Sequence, residues 1–129
     1  LTARESEVEE MFRRAVFNIA IANDDDHSRN HAFLMDATGE WKLSPAYDMT
    51  RSGYALGSGY RAAGVMGKFS KLGLADLSAL AASQGLRKTD EQIGSVLDAI
   101  RRWPEFAGEA GLPATETRLL QDEFPATRW

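Results

Sequence analysis

Residues 23–30 read Asn-Asp-Asp-Asp-His-Ser-Arg-Asn and hold the side chains best suited to chemistry. Three adjacent carboxylates, Asp24, Asp25 and Asp26, repel one another by roughly 1 to 3 kcal/mol per close pair at surface dielectric values, which a bound cation or a proton-accepting role would explain. A calcium loop does not fit. Counted from Asp24 or Asn23, the sixth position is Arg29 or Ser28 where glycine is needed, and the twelfth is Met35 or Leu34 where Glu is needed. Phosphoryl transfer fits better. It uses one Asp to accept the proton of the attacking hydroxyl, an Asn five residues later to reach a magnesium ion, and a second Asp beyond a short β element to hold the metal against the phosphates. Asp25 and Asn30 have that spacing, and Asp48 follows the next β element. Two such oxygen ligands suit Mg²⁺, which completes its shell with substrate phosphates. The expectation is that all three side chains converge on one pocket.

Fixed elements must present these groups. Upstream, Val8, Met11, Phe12, Ala15, Ile19 and Ala22 recur at helical spacing and predict a helix that stops near Asn23, where four poor helix formers begin. Glu9 with Arg13 and Glu10 with Arg14 are expected as i,i+4 pairs, and Thr2 with Glu5 or Ser6 with Glu9 as a capping box. Downstream, residues 32–35 and 41–43 flank an Asp36-to-Gly39 type I turn and predict a β-hairpin, ended by Pro45. Residues 51–67 contain Gly53, Gly57, Gly59, Gly64 and Gly67 and read as a mobile or ligand-shaped loop. Gly57, Gly59 and Ala62 imitate a dinucleotide fingerprint, but no βαβ unit surrounds them. Helices are predicted over residues 74–82, closed by Gly85, from a Thr89/Gln92 capping box to Trp103 before Pro104, and after Pro113. Trp41, Trp103, Trp129, Phe106 and Phe124 are expected in the core. The fold class is therefore mainly α with one small β-hairpin, an α+β single domain over residues 1–129.

The segments DDHSRNHAFL and WKLSPAYDMT together resemble the C-terminal lobe of HipA-like serine/threonine protein kinases, the toxin components of bacterial toxin and antitoxin pairs. The resemblance is strongest over residues 8–50. It implies a protein-kinase-like lobe with Asp25 as catalytic base, Asn30 and Asp48 as magnesium ligands, His27 supporting the catalytic loop or the phosphates, and Tyr47 near the nucleotide. It also implies ATP and Mg²⁺, a protein substrate and an antitoxin partner. It assigns nothing to Asp24 or Asp26. Two departures from the broader kinase pattern matter. His27 follows the catalytic Asp instead of preceding it, and Asp48 precedes Met49 and Thr50 instead of Phe and Gly. That order is also similar to phosphoinositide kinases, so a small-molecule or lipid kinase is one alternative. A non-catalytic helical binding module is the other. All four lysines, Lys42, Lys68, Lys71 and Lys88, lie downstream of Asp25, whereas the nucleotide lysine and Gly-rich turn of a kinase lie upstream. The expectation is a fragment without the N-terminal nucleotide-binding lobe, inactive alone.

Composition agrees. With 129 residues, 43% of them hydrophobic, one compact core is feasible without disulfides. The absence of cysteine excludes a thiolate metal site or nucleophile and suits a cytoplasmic setting. A net charge of -4, from 15 basic and 19 acidic residues, argues against direct nucleic-acid binding. The longest apolar run, residues 15–22, contains Asn18 and falls far short of the ~20 residues of a membrane span.

Overall fold

The computed structural model describes residues 4–52 and 60–129. Among the described residues, five α-helices, α1 (Glu5–Ala20), α2 (Leu74–Ser83), α3 (Thr89–Arg101), α4 (Trp103–Glu109) and α5 (Ala114–Glu123), accompany a hairpin of β1 (Phe33–Met35) and β2 (Trp41–Leu43). This matches the mainly helical α+β expectation.

Helix α1 is the spine. Its buried stripe of Phe12, Val16, Ile19 and Ala20 packs with Leu77 and Ala81 of α2, Ile93, Val96 and Ile100 of α3, and Phe124 beyond α5. At its start, Arg4 is the N-cap and makes no side-chain cap, so Ser6/Glu9 does not form the expected box; Thr2 lies outside the described residues. The expected Glu10–Arg14 pair forms, but Arg13 also turns to Glu10 instead of to Glu9. The helix stops at Ala20, earlier than predicted. Ala22 N–H donates to Ile19 C=O and Asn23 N–H to Asn18 C=O, a Schellman closure with Ala22 at φ +58° where glycine is usual. An alanine there costs about 1 to 2 kcal/mol, so something else must hold the turn.

The hairpin pairs Phe33 with Leu43, Leu34 with Lys42 and Met35 with Trp41. Its turn forms as predicted: Gly39 N–H donates to Asp36 C=O, while Asp36 Oδ1 accepts from the N–H groups of Thr38 and Glu40. Few apolar contacts hold the hairpin, since Leu34 and Met35 are exposed. Polar ties dock it on α1 instead: Glu7 Oε1 accepts from Leu43 N–H at 2.8 Å, and Arg14 Nη2 donates to Ser44 C=O at 2.7 Å.

Among the later elements, Gly85 closes α2 at φ +67° as predicted. The Thr89/Gln92 box does not form, because Lys88 occupies the N-cap in left-handed conformation and Thr89 is already helical. Pro104 does not follow a helix to Trp103. It sits near the start of the separate α4, where its missing N–H would have had no helical partner. Trp103 and Phe124 meet edge to face at 5.6 Å, as core aromatics should. Trp41 and Phe106 are exposed instead; Phe106 lies under the Arg102 guanidinium. Gly53, Gly57 and Gly59 lie outside the described residues. No described helix is long and apolar enough to cross a membrane.

Carboxylate chemistry sets an acid limit on this fold. The Thr38 hydroxyl and N–H hold Asp36 below its ordinary pKa, and Lys68 with the Gly73 N–H does the same for Asp76. Burial works to raise Glu10, but hydrogen bonds from Arg13 and Arg14 outweigh it and leave Glu10 lowered. Each group is a stronger acid in the folded chain than in the unfolded one. Their stabilisation is therefore present above the ordinary carboxylate pKa of about 4 and disappears as pH falls through the folded values. Burial raises Asp24 and so acts in the opposite sense, but alone. Urea midpoints measured from pH 6 to pH 2 should fall below about pH 4; a flat profile would contradict these contacts.

Candidate active site

The loop after α1 is held by its backbone and by one buried amide. Asn23, 1% exposed, donates from Nδ2 to Asn18 Oδ1 at 3.1 Å and to the Asp48 carbonyl at 3.2 Å, and its Oδ1 accepts from Ser52 Oγ at 3.0 Å. Ser52 Oγ in turn accepts from the Asp25 N–H at 3.0 Å, and Ser52 N–H donates to Ala22 C=O. Asn23 thus connects the end of α1, the Asp25 loop and the segment after the hairpin. It also holds two left-handed residues, Ala22 through the closure described above and Asp48 (φ +54°) through the Asp48 carbonyl.

A second tie runs alongside. Tyr47 Oη donates to the Arg29 carbonyl at 2.7 Å, joining the neighbour of Asp48 to the neighbour of Asn30. Residues Ser28–Asn30 form a 3-10 turn closed by Asn30 N–H on His27 C=O. Asn30 is buried and donates from Nδ2 to the Asp25 carbonyl at 3.2 Å. The Asp25 N–H and C=O are therefore both bonded, whereas its exposed carboxylate, Asn30 Oδ1 and the exposed Asp48 carboxylate have no hydrogen bond or ion pair among the described residues.

The neighbours of Asp25 are used differently. Asp26 is buried between Arg61 Nη2 at 3.0 Å from its Oδ2 and His31 Nε2 at 3.1 Å from its Oδ1. Burial pushes the Arg61 guanidinium down from its ordinary value, and Asp26 and Asp24 push it back up. His27 Nδ1 is buried without a partner, so the backbone hydrogen bond one expects of a loop-holding imidazole is not made by that atom.

Clefts of about 310 to 740 Å³ lie among the described residues, and none of these is lined by Asp25, Asn30 or Asp48. Asn30 shares with Tyr47 and Arg14 only a crevice too tight for water. The pocket expected from the sequence is not among these clefts, because Asp25, Tyr47 and Asp48 face solvent. No three His, Cys, Asp or Glu side chains among the described residues cluster in a way that would hold a metal. A site built on Asn30 and Asp48 would depend on an amide oxygen and on ligands from the substrate, a donor set suited to Mg²⁺.

The profile of the HipA-like C-terminal domain matches residues 1–105. The chain belongs to this family. No curated protein and no solved structure matches it. The HipA-like family is kinase-like, and residues 23–52, including Asp25, His27, Asn30, Tyr47 and Asp48, fall inside the matched span. In this HipA-like domain the sequence reading missed Asn23, Ser52 and Arg61. Asn23 had one available signal, a polar residue beside the Asp run, but that signal does not distinguish a buried hub from a solvated loop; Arg61, 35 residues from Asp26, had none.

Proposed function

We propose that this chain is the catalytic lobe of a HipA-like serine/threonine protein kinase, a kinase-like lobe that acts as part of a longer protein and transfers the γ-phosphate of ATP to a protein hydroxyl. The observation that carries this reading is the contrast at Asp25: both backbone groups are committed while its carboxylate, Asn30 Oδ1 and the Asp48 carboxylate are left uncommitted on segments tied together by Asn23 and Tyr47.

In this reading Asp25 orients the acceptor hydroxyl and takes its proton as the oxygen attacks the γ-phosphorus and the bond to the leaving ADP breaks. Asn30 and Asp48 hold Mg²⁺, which when bound offsets the phosphate charge. The Tyr47 ring borders the nucleotide while its hydroxyl holds the turn. His27 keeps the turn closed through its carbonyl. The exposure of Asp25, Tyr47 and Asp48 is consistent with a site whose opposite wall comes from a nucleotide-binding lobe. An antitoxin would be the natural partner of such an enzyme.

Manganese tests the metal ligands without requiring turnover. Titrating Mn²⁺ into ¹⁵N-labelled protein should broaden the Asn30 and Asp48 amide signals first, with excess Mg²⁺ restoring them. Broadening that bypasses both residues would remove them as ligands.

A further inference from the structure

Residues 61–69 close on themselves. Arg61 N–H donates to Phe69 C=O at 2.9 Å, and Val65 and Lys68 exchange both N–H···O bonds at 2.9 Å across a two-residue turn. Met66 and Gly67 have φ of +51° and +79°, the signs of a type I′ hairpin turn. Gly64 lies so near the Phe69 ring that a Cβ there would come within 2.8 Å of it. Two nested closures and this close approach make the segment a unit.

Two bonds run from this unit to the Asp loop, one on each side of Asp25. Ala62 N–H donates to the Asp24 carbonyl at 2.8 Å, and Arg61 Nη2 donates to Asp26 Oδ2 at 3.0 Å. Arg61 and Asp26 are 8% and 6% exposed, so water competes little for this pair. Arg61 Nη1 also reaches the Asn18 carbonyl at 3.4 Å, tying the pair to the end of α1. The first bond holds the Asp24 side of the loop and adds to the ties from Ser52 and Asn30 at the Asp25 backbone. The second fixes its rotation, and a swing of about 10 to 20° is enough to spoil a reacting geometry.

We propose that Arg61 is a positioning residue: through Asp26 it sets the direction in which the loop presents Asp25, and residues 61–69 are the clamp whose displacement lowers phosphotransfer. This rests on the assignment of Asp25 as proton acceptor. It gives Asp26 a role distinct from that of its neighbour and makes the site sensitive to whatever moves the clamp.

The test uses the complete protein with Arg61→Gln, Arg61→Lys and Asp26→Asn. Arg61→Gln and Asp26→Asn should each lower kcat by about 10- to 100-fold and leave KM for ATP within about two-fold, the mark of lost positioning rather than lost binding. The double variant should lose no more than the worse single one, and Arg61→Lys should recover part of the rate. Hydrogen exchange should quicken at the Asp25 and Ala62 amides in Arg61→Gln while Val96 and Ile100 in α3 stay protected. An unchanged kcat, or exchange that quickens equally in α3, would overturn the proposal. If Arg61→Gln does not fold, the same readouts on Asp26→Asn decide. If the wild-type protein transfers no phosphate, the kinase reading fails, while the exchange comparison still decides whether Arg61 holds the loop.

Discussion

In the complete protein, Asp25→Asn should lower the phosphotransfer rate by about 10²-fold or more while thermal stability stays within about 0.5 kcal/mol of wild type. The two expectations follow from different parts of one residue. The carboxylate is exposed and makes no hydrogen bond or ion pair among the described residues, so its replacement by an amide of the same shape leaves no buried group unpaired. The N–H and C=O that bind Ser52 Oγ and Asn30 Nδ2 belong to the backbone and survive the substitution. What is lost is the ability to accept a proton. Phosphotransfer assays with thermal melts on the same samples make the check, and a variant that keeps its rate would remove Asp25 from the role. Asp26→Asn is no substitute for this experiment, because it also weakens the buried pair with Arg61.

The largest stability effect is expected at Asn23. Replacement by Ala leaves Asn18 Oδ1, the Asp48 carbonyl and the Ser52 hydroxyl short of a partner in a site 1% exposed. Losses of this kind sum to about 2 to 4 kcal/mol, a fall in Tm of roughly 10 °C for a chain of this size. Asp48, left-handed at φ +54°, would lose the bond to its carbonyl at the same time, whereas the closure at Ala22 uses the backbone N–H of residue 23 and survives. Asn23→Asp should not rescue, since a carboxylate can accept from Ser52 but cannot donate to Asn18 or Asp48. Melting followed by circular dichroism decides: a midpoint for Asn23→Ala within about 1 °C of wild type would show that the amide is not the support described.

The contrast between these two residues also separates what could be read from the sequence from what could not. Asp25, Asn30 and Asp48 stood out because the spacing demanded by a reaction is a property of the chain. The Asp36-to-Gly39 turn stood out because its bonds are made within four residues. Asn23 and Arg61 did not, because what defines them is a partner 25 or 35 residues away. The end of α1 lies earlier than the sequence predicts for a related reason: Ala22 has no local preference for the left-handed conformation, and the distant Ser52 N–H bonds its carbonyl there. At α3 a plausible capping pair was outcompeted by the geometry of the connection from α2, which puts Lys88 at the N-cap. The pairing of Trp103 with Phe124 and the exposure of Phe106 go with a helix break at Arg102, two residues before the proline that the sequence marks as the stop.

Phe124 lies beyond the span that matches the family, yet it is 4% exposed and sits against Trp103. The turn that follows it, Pro125–Arg128, rests on α1, the helix that carries the Asp25 loop. The packed core therefore extends past the residues that the family profile covers. A piece trimmed to residues 1–105 would bare the hydrophobic side of its own spine, so the tail serves as a lid on the domain.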